Sequence, residues 1–208
     1  MTDQKAFYYI PFRSQGVLCN AGRVRPWPLF RCWTGFIARV RTAAHQRVKG
    51  GSLGKAMKII VGSDHAGFGL KEACKQFLNR SGAHEVHDVG VFSRESSDYP
   101  EIAHKVAQAV SRGEYARGIL ICGSGLGMSM SANRHRGVRA ALCYNIYSAR
   151  LSRLHNDANI LAMGERVLGE GLALEILDVF LNTEFEGGRH KRRVDRIDTV
   201  ESESGGKH

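Results

Sequence analysis

"GILICGSGLGMSMSAN", residues 118–133, is the stretch on which the fold turns. An apolar run ending at Cys122 passes into a loop with glycine at 123, 125 and 127 and then into residues of helical spacing. A buried strand that turns through bare backbone into a helix is the building unit of a parallel α/β sheet, whose strands need crossover connections. Such a turn also lets several N–H groups converge on one point, which suits an anion. Cys122 stands on its lip, with hydroxyls at Ser124, Ser129 and Ser131. Near converging N–H groups and a helix N-terminus a thiol is biased toward thiolate. The plainer reading, a small apolar filler closing a buried strand, stays open on the sequence alone.

Outward from this stretch the same alternation repeats. Short strand-like runs "KIIVG" (58–62), "EVHDVG" (85–90), "GILIC" (118–122), "VRAALC" (138–143) and "NILAMG" (159–164) are separated by segments of helical period. Leu70, Ala73, Cys74, Phe77 and Leu78 form one apolar face, and Ile102, Val106 and Val110 form another, opening on Ser97 or Asp98 as a cap before Pro100. "GLALEILDVFL" supplies a further helix, and a last one begins near Arg189, with Val194, Ile197 and Val200 as a thin stripe suited to packing on a partner subunit or across the sheet. The expected fold is α/β, a Rossmann-like three-layer α/β/α arrangement around a five-stranded parallel sheet. Ligands in such sheets sit beyond the C-terminal strand ends, where "CGSGLG", "GSDHAG" and Arg166 all fall.

The glycine loop is not a dinucleotide fingerprint. Met128 takes the third glycine's place, the loop follows the third strand, and no acid stands about 20 residues later. Gly123, Gly125 and Gly127 instead free the N–H groups around Ser124 as a cradle for an oxyanion, against the alternative of a tight turn with no ligand. Asp64 and His65 follow the first strand, and Asp64 also suits a helix cap. His155, Asn156 and Asp157 close the helix before the fifth strand; a lone histidine there is often surface decoration, but His155 is expected on the same rim as Cys122. Arg189 and Arg193 lie one helical turn apart with His190 adjacent, a fork for one phosphate.

Composition bounds the partners. The net charge is +10, yet residues 1–56 carry ten Lys/Arg against one acid and residues 57–208 twenty against nineteen, so the excess splits as +9 and +1. The body is almost neutral, which argues against a nucleic-acid partner, and no run is apolar enough for a transmembrane helix. Five cysteines without CxxC spacing point to a reducing, cytoplasmic setting and give no zinc-finger pattern. Residues 1–56, with three of the four prolines and both tryptophans, read as an N-terminal extension, disordered or non-native, and 57–208 as the domain. Three origins for the extension stay open: an upstream start codon, an organellar transit peptide, or an arm binding RNA or membrane.

The motifs "GSDHAG", "SDYP", "ILICGSGLGMSMSANR", "RAALC", "YSARLSRLHNDANILAMGERV" and "EGGRHKRRV" occur in that order over nearly the whole body. Through them residues 57 to about 200 resemble type B ribose-5-phosphate isomerases, a group that includes galactose-6-phosphate and allose-6-phosphate isomerases. The resemblance implies interconversion of D-ribose 5-phosphate and D-ribulose 5-phosphate via an enediolate, without metal or other cofactor, in a homodimer or tetramer with shared sites. It makes Cys122 the base, gives the anion cradle to Gly123–Gly127 with Ser124, and gives ring opening to His155 with help from Asp64. Tyr99 and Asn156 fall to sugar contacts, and His65, Arg166, Arg189, His190 and Arg193 to the phosphate, with the C-terminal basic residues reaching a neighbour's site. One branch of the group has glutamate where Met128 stands and glycine in place of Cys122; this sequence sides with the cysteine branch. A six-carbon 6-phosphate isomerase and a non-catalytic sugar-phosphate binding module remain the alternatives.

Overall fold

The computed structural model describes residues 56–197 and Thr199. Apart from Ala56, the extension read over residues 1–56 lies outside the described residues, as do Val200 and the last eight residues. Strands β1 (Lys58–Ser63), β2 (Glu85–Asp88), β3 (Arg117–Cys122), β4 (Ala140–Leu142) and β5 (Ile160–Gly164) form one wholly parallel sheet in the order β2-β1-β3-β5-β4. The α-helices are α1 (Phe68–Ser81), α2 (Tyr99–Ser111), α3 (Leu126–Ala132), α4 (Ile146–Leu154), α5 (Glu170–Asn182) and α6 (Arg189–Ile197), and a 3₁₀ turn His65–Gly67 precedes α1. This is the doubly wound fold expected from the sequence.

Strand alternation sorts the core into two layers, because successive side chains leave a strand on opposite faces. Ile59, Val61, Ile119, Ile121, Leu161 and Met163 pack with α1, α4 and α5, whereas Ile60, Leu120, Cys122, Ile160 and Ala162 pack with α2 and α3. The strand order reverses between β1 and β3, and their ends are stitched by the Asp64 N–H donating to the Ile121 carbonyl at 3.2 Å. A crevice beyond that reversal is where such sheets take ligands.

Some local expectations shift. The α2 N-cap is Asp98 but its side chain makes no capping bond, and Ser97 is engaged with His65 instead. On α6 the inward residues are His190 and Val194, four apart, and Ile197 is exposed, so it does not continue the stripe from Val194. Among the described residues no helix is long and apolar enough to cross a membrane.

Lys71 is the fold's least expected core residue. Its ammonium is fully buried yet paired, 2.6 Å from Asp88 and 3.1 Å from Glu72, and it donates to the Val91 carbonyl at 2.9 Å. It therefore pins the segment after β2, which carries Ser97, against α1. Burial alone would raise the Asp88 carboxyl, but hydrogen bonds from Lys71, Lys75 and the Gly90 N–H hold it below the usual range. A carboxyl lowered by folding contributes its stabilisation above its unfolded value, near pH 4, and loses it as pH falls. Asp88→Asn is expected to cost about 3 kcal/mol in urea unfolding at pH 7, since Glu72 still faces the buried ammonium. The variant's stability should also fall less steeply below about pH 4 than that of the unaltered chain.

Candidate active site

The cradle is built by the turn from β3 into α3. Gly125 has φ +82°, and an added Cβ there would stand 2.6 Å from Leu142 Cδ1 and 2.8 Å from the Met163 carbonyl carbon, so only glycine fits. With the turn wound this tightly, the Gly125 N–H points back at Cys122 and donates to its Sγ at 3.0 Å. A thiolate on Cys122 thus has a fixed donor. Ser124 Oγ accepts from the Leu126 N–H at 3.3 Å, and the Ser124 carbonyl accepts from the Tyr144 hydroxyl at 2.8 Å. A Cβ on Gly127 would stand 2.5 Å from the Tyr99 ring, so the bare backbone is what seats that ring against the cradle.

Around this rim the neighbouring strand ends supply charge. Asp64 is buried, and its Oδ1 accepts from the Ala66 and Gly67 N–H groups at 2.9 and 3.0 Å, which is the capping role. The His65 N–H donates to Ser97 Oγ, and His65 Nδ1 accepts from the Ser97 N–H, both at 3.2 Å. This reciprocal pair leaves the imidazole Nε2 to carry the proton of the neutral ring. Beyond β5 the Arg166 N–H donates to the Gly123 carbonyl at 3.0 Å, and its guanidinium stem lies against Gly123. Asp64, His65, Tyr99, Cys122, Gly123, Ser124, Gly125, Gly127 and Arg166 therefore share one rim.

His155 and Asn156 do not join them within the chain, which corrects the sequence expectation. Helix α4 starts near the C-terminal end of β4 and runs back, so its last residues lie where β5 begins. Asn159 bonds Gly118, at the start of β3, whereas Cys122 at its far end pairs with Gly164. Four residues of strand separate the two ends by about 13 Å. At that opposite end His155 stacks on His190, with ring centroids 4.1 Å apart and planes within 3°. Glu186 faces both rings, 3.7 Å from His155 Nε2 and 3.5 Å from His190 Nε2, and Arg189 Nε donates to His190 Nε2 at 3.3 Å. Arg193 lies on the next turn of α6, on its exposed side.

This second cluster sets cationic side chains around the stacked imidazoles. Burial, the stacked His155, and Arg189 and Arg193 press the His190 imidazole below its usual range, with Glu186 opposing. Two imidazoles and a carboxylate are metal-ligand types, and their donor atoms lie within 4.8 Å of one another. With the ring planes parallel, however, the nitrogen lone pairs run side by side and do not converge on one point.

Fold and rim together define a doubly wound α/β protein with a thiol set in a glycine turn at the reversal of the sheet. The ribose/galactose isomerase profile matches residues 59–197, and the chain belongs to that family. It is 50% identical over 144 residues to ribose-5-phosphate isomerase B of Escherichia coli strain K12, covering 69% of this chain and 96% of that protein. Ribose-5-phosphate isomerase B of Clostridium thermocellum superposes with TM-score 0.70 at 54% identity, over 72% of this chain and all of that one. The Thermotoga maritima structure of the same name gives 0.68 at 53%, over 69% of this chain and 99% of its own.

Sequence reasoning missed the supporting residues. In the sequence Ser97 suits a cap and opens the motif "SDYP", neither of which points to His65, and Tyr144 carries no signal at all. Glu186 could have been found, since it stands four residues before His190 across the Gly187–Gly188 break. In an NMR titration His190 is expected to protonate below pH 6.5, and Glu186→Gln should move its midpoint lower still, because the carboxylate is what favours the imidazolium.

Proposed function

We propose that the chain interconverts D-ribose 5-phosphate and D-ribulose 5-phosphate, with Cys122 moving a proton between C1 and C2 through an enediolate. The observation that carries this reading is the Gly125 N–H donating to Cys122 Sγ at the reversal of the sheet, inside the motif shared with the isomerases. Proton removal beside a carbonyl builds negative charge on oxygen, and the N–H groups of the turn from Gly123 to Gly127, with Ser124, answer that charge. A donor of this kind is worth roughly 3 to 4 kcal/mol at the transition state. His65 and Arg166 take the phosphate, Tyr99 the sugar, and Asp64 assists ring opening.

His155 opens the furanose ring and Asn156 contacts the sugar, and both serve the cradle of a second copy of the chain. A two-fold dimer sets the Cys122 rim of each protomer against the His155 end of its partner, with Arg189, His190 and Arg193 completing the phosphate clamp. The separation of the two ends within one protomer supports this arrangement. Residues 57–208 form the catalytic domain, no cofactor enters the reaction, and the protein acts in the cytoplasm on a small phosphorylated sugar.

Two other readings are set apart by experiment. A six-carbon 6-phosphate isomerase would show higher kcat/KM on allose 6-phosphate than on ribose 5-phosphate; the reverse order is expected. A binding module without catalysis would give no exchange of solvent protons into ribulose 5-phosphate at C1. Cys122→Ala should keep the folded state and lose turnover by about 10² to 10⁴-fold or more, and substantial remaining activity would remove Cys122 as the base. Arg193→Ala should chiefly raise KM, since a phosphate contact is made equally in ground and transition states.

A further inference from the structure

Asp157 has φ +46° and is the one non-glycine with positive φ among the described residues. A left-handed aspartate is strained unless its surroundings hold it, and such strain gathers at functional sites. What holds it is a double clamp. Its Oδ1 accepts from Arg153 Nη1 at 2.9 Å and its Oδ2 from Arg139 Nη2 at 3.0 Å. Arg139 Nε also donates to the Asn156 and Asp157 carbonyls, at 3.1 and 3.0 Å. Arg153 is only 2% exposed and donates further to the Thr183 carbonyl at 3.2 Å, so the clamp is anchored in the core beside α5. The two cations thus grip the chain immediately after His155.

We infer that Asp157 is a positioning residue whose clamped carboxylate and left-handed backbone hold the His155 ring flat on His190 and turn Asn156 outward for the neighbouring protomer's sugar. This rests on the reading of His155 and Asn156 given under Proposed function. Asp157 itself is aimed at two arginines and does not touch substrate. A turn into β5 could be made by a glycine with no strain; the aspartate adds two ion pairs that fix where His155 stands.

Asp157→Gly and Asp157→Asn in the full chain separate the terms. Glycine adopts the left-handed angle freely and removes the clamp, while asparagine tolerates the angle and keeps one acceptor oxygen, so it guards against loss of the fold. The first readout is the His155 Hε1 resonance, displaced in the unaltered chain by the stacked His190 ring. In folded Asp157→Gly that displacement should vanish, and in Asp157→Asn it should shrink. The second compares solvent deuterium entering C1 of ribulose 5-phosphate, which needs only the base and cradle, with net conversion of ribose 5-phosphate to ribulose 5-phosphate, whose substrate arrives as a closed ring and so also needs the ring group. Asp157→Gly should lower net conversion by about tenfold or more and leave exchange within roughly twofold, with Asp157→Asn between. A folded variant whose His155 resonance does not move would overturn the inference, and so would an equal fall in exchange and conversion. His155→Ala is the reference arm. If it leaves the ratio of exchange to conversion unchanged, the ring-opening reading fails, and the resonance alone still decides whether Asp157 positions His155.

Discussion

A parallel sheet makes the chain return, after every strand, from one end of the sheet to the other. Residues that follow strands therefore collect on one rim, and residues that precede strands collect on the opposite one. Asp64, His65, Cys122, the glycine turn and Arg166 all follow strands, and the rim they share is set by connectivity before any side chain is chosen. His155, Asn156 and the start of α6 precede β5 or pack beside its beginning, and no repacking within one protomer would carry them across a strand length of about 13 Å. A single site that uses groups from both rims must therefore draw them from two copies of the chain.

Each half has its own electrostatic logic. On the cysteine rim, donors converge: the Gly125 N–H on the sulfur, and the 3₁₀ turn's N–H groups on Asp64. That rim is suited to a thiolate and to charge appearing on a substrate oxygen. At the other end the cations Arg189 and Arg193 flank His155 and His190, whose stacked rings favour neutrality in at least one imidazole. A neutral imidazole among cations can accept a proton, which is what the proposed ring opening asks of this end.

The fold was largely legible because its signals are local. Five strand-like runs, apolar faces such as Ile102, Val106 and Val110, and the glycines at 123, 125 and 127 each report on their own few residues. The rim was legible wherever a site residue directly follows a strand. His155 was misplaced because its neighbourhood in sequence, at the end of a helix, says nothing about which end of the sheet that helix reaches. Ser97 and Tyr144 escaped for a related reason: each acts on a residue distant in the chain, and polar partnerships of that kind leave no periodicity. Lys71 shows the same limit in the core, where a charge among apolar neighbours is stable only because Asp88 and the Val91 carbonyl arrive from another element.

The sharing of sites between protomers is tested most directly by subunit complementation. Cys122→Ala and His155→Ala chains, each inactive alone, would be unfolded together, refolded at equal concentration and assayed with ribose 5-phosphate. In a two-fold dimer half of the assemblies are mixed, and each mixed dimer holds one intact composite site beside one doubly altered site, so about a quarter of the unaltered activity should return. Mixed dimers that form but show no activity above that of either variant would contradict the account.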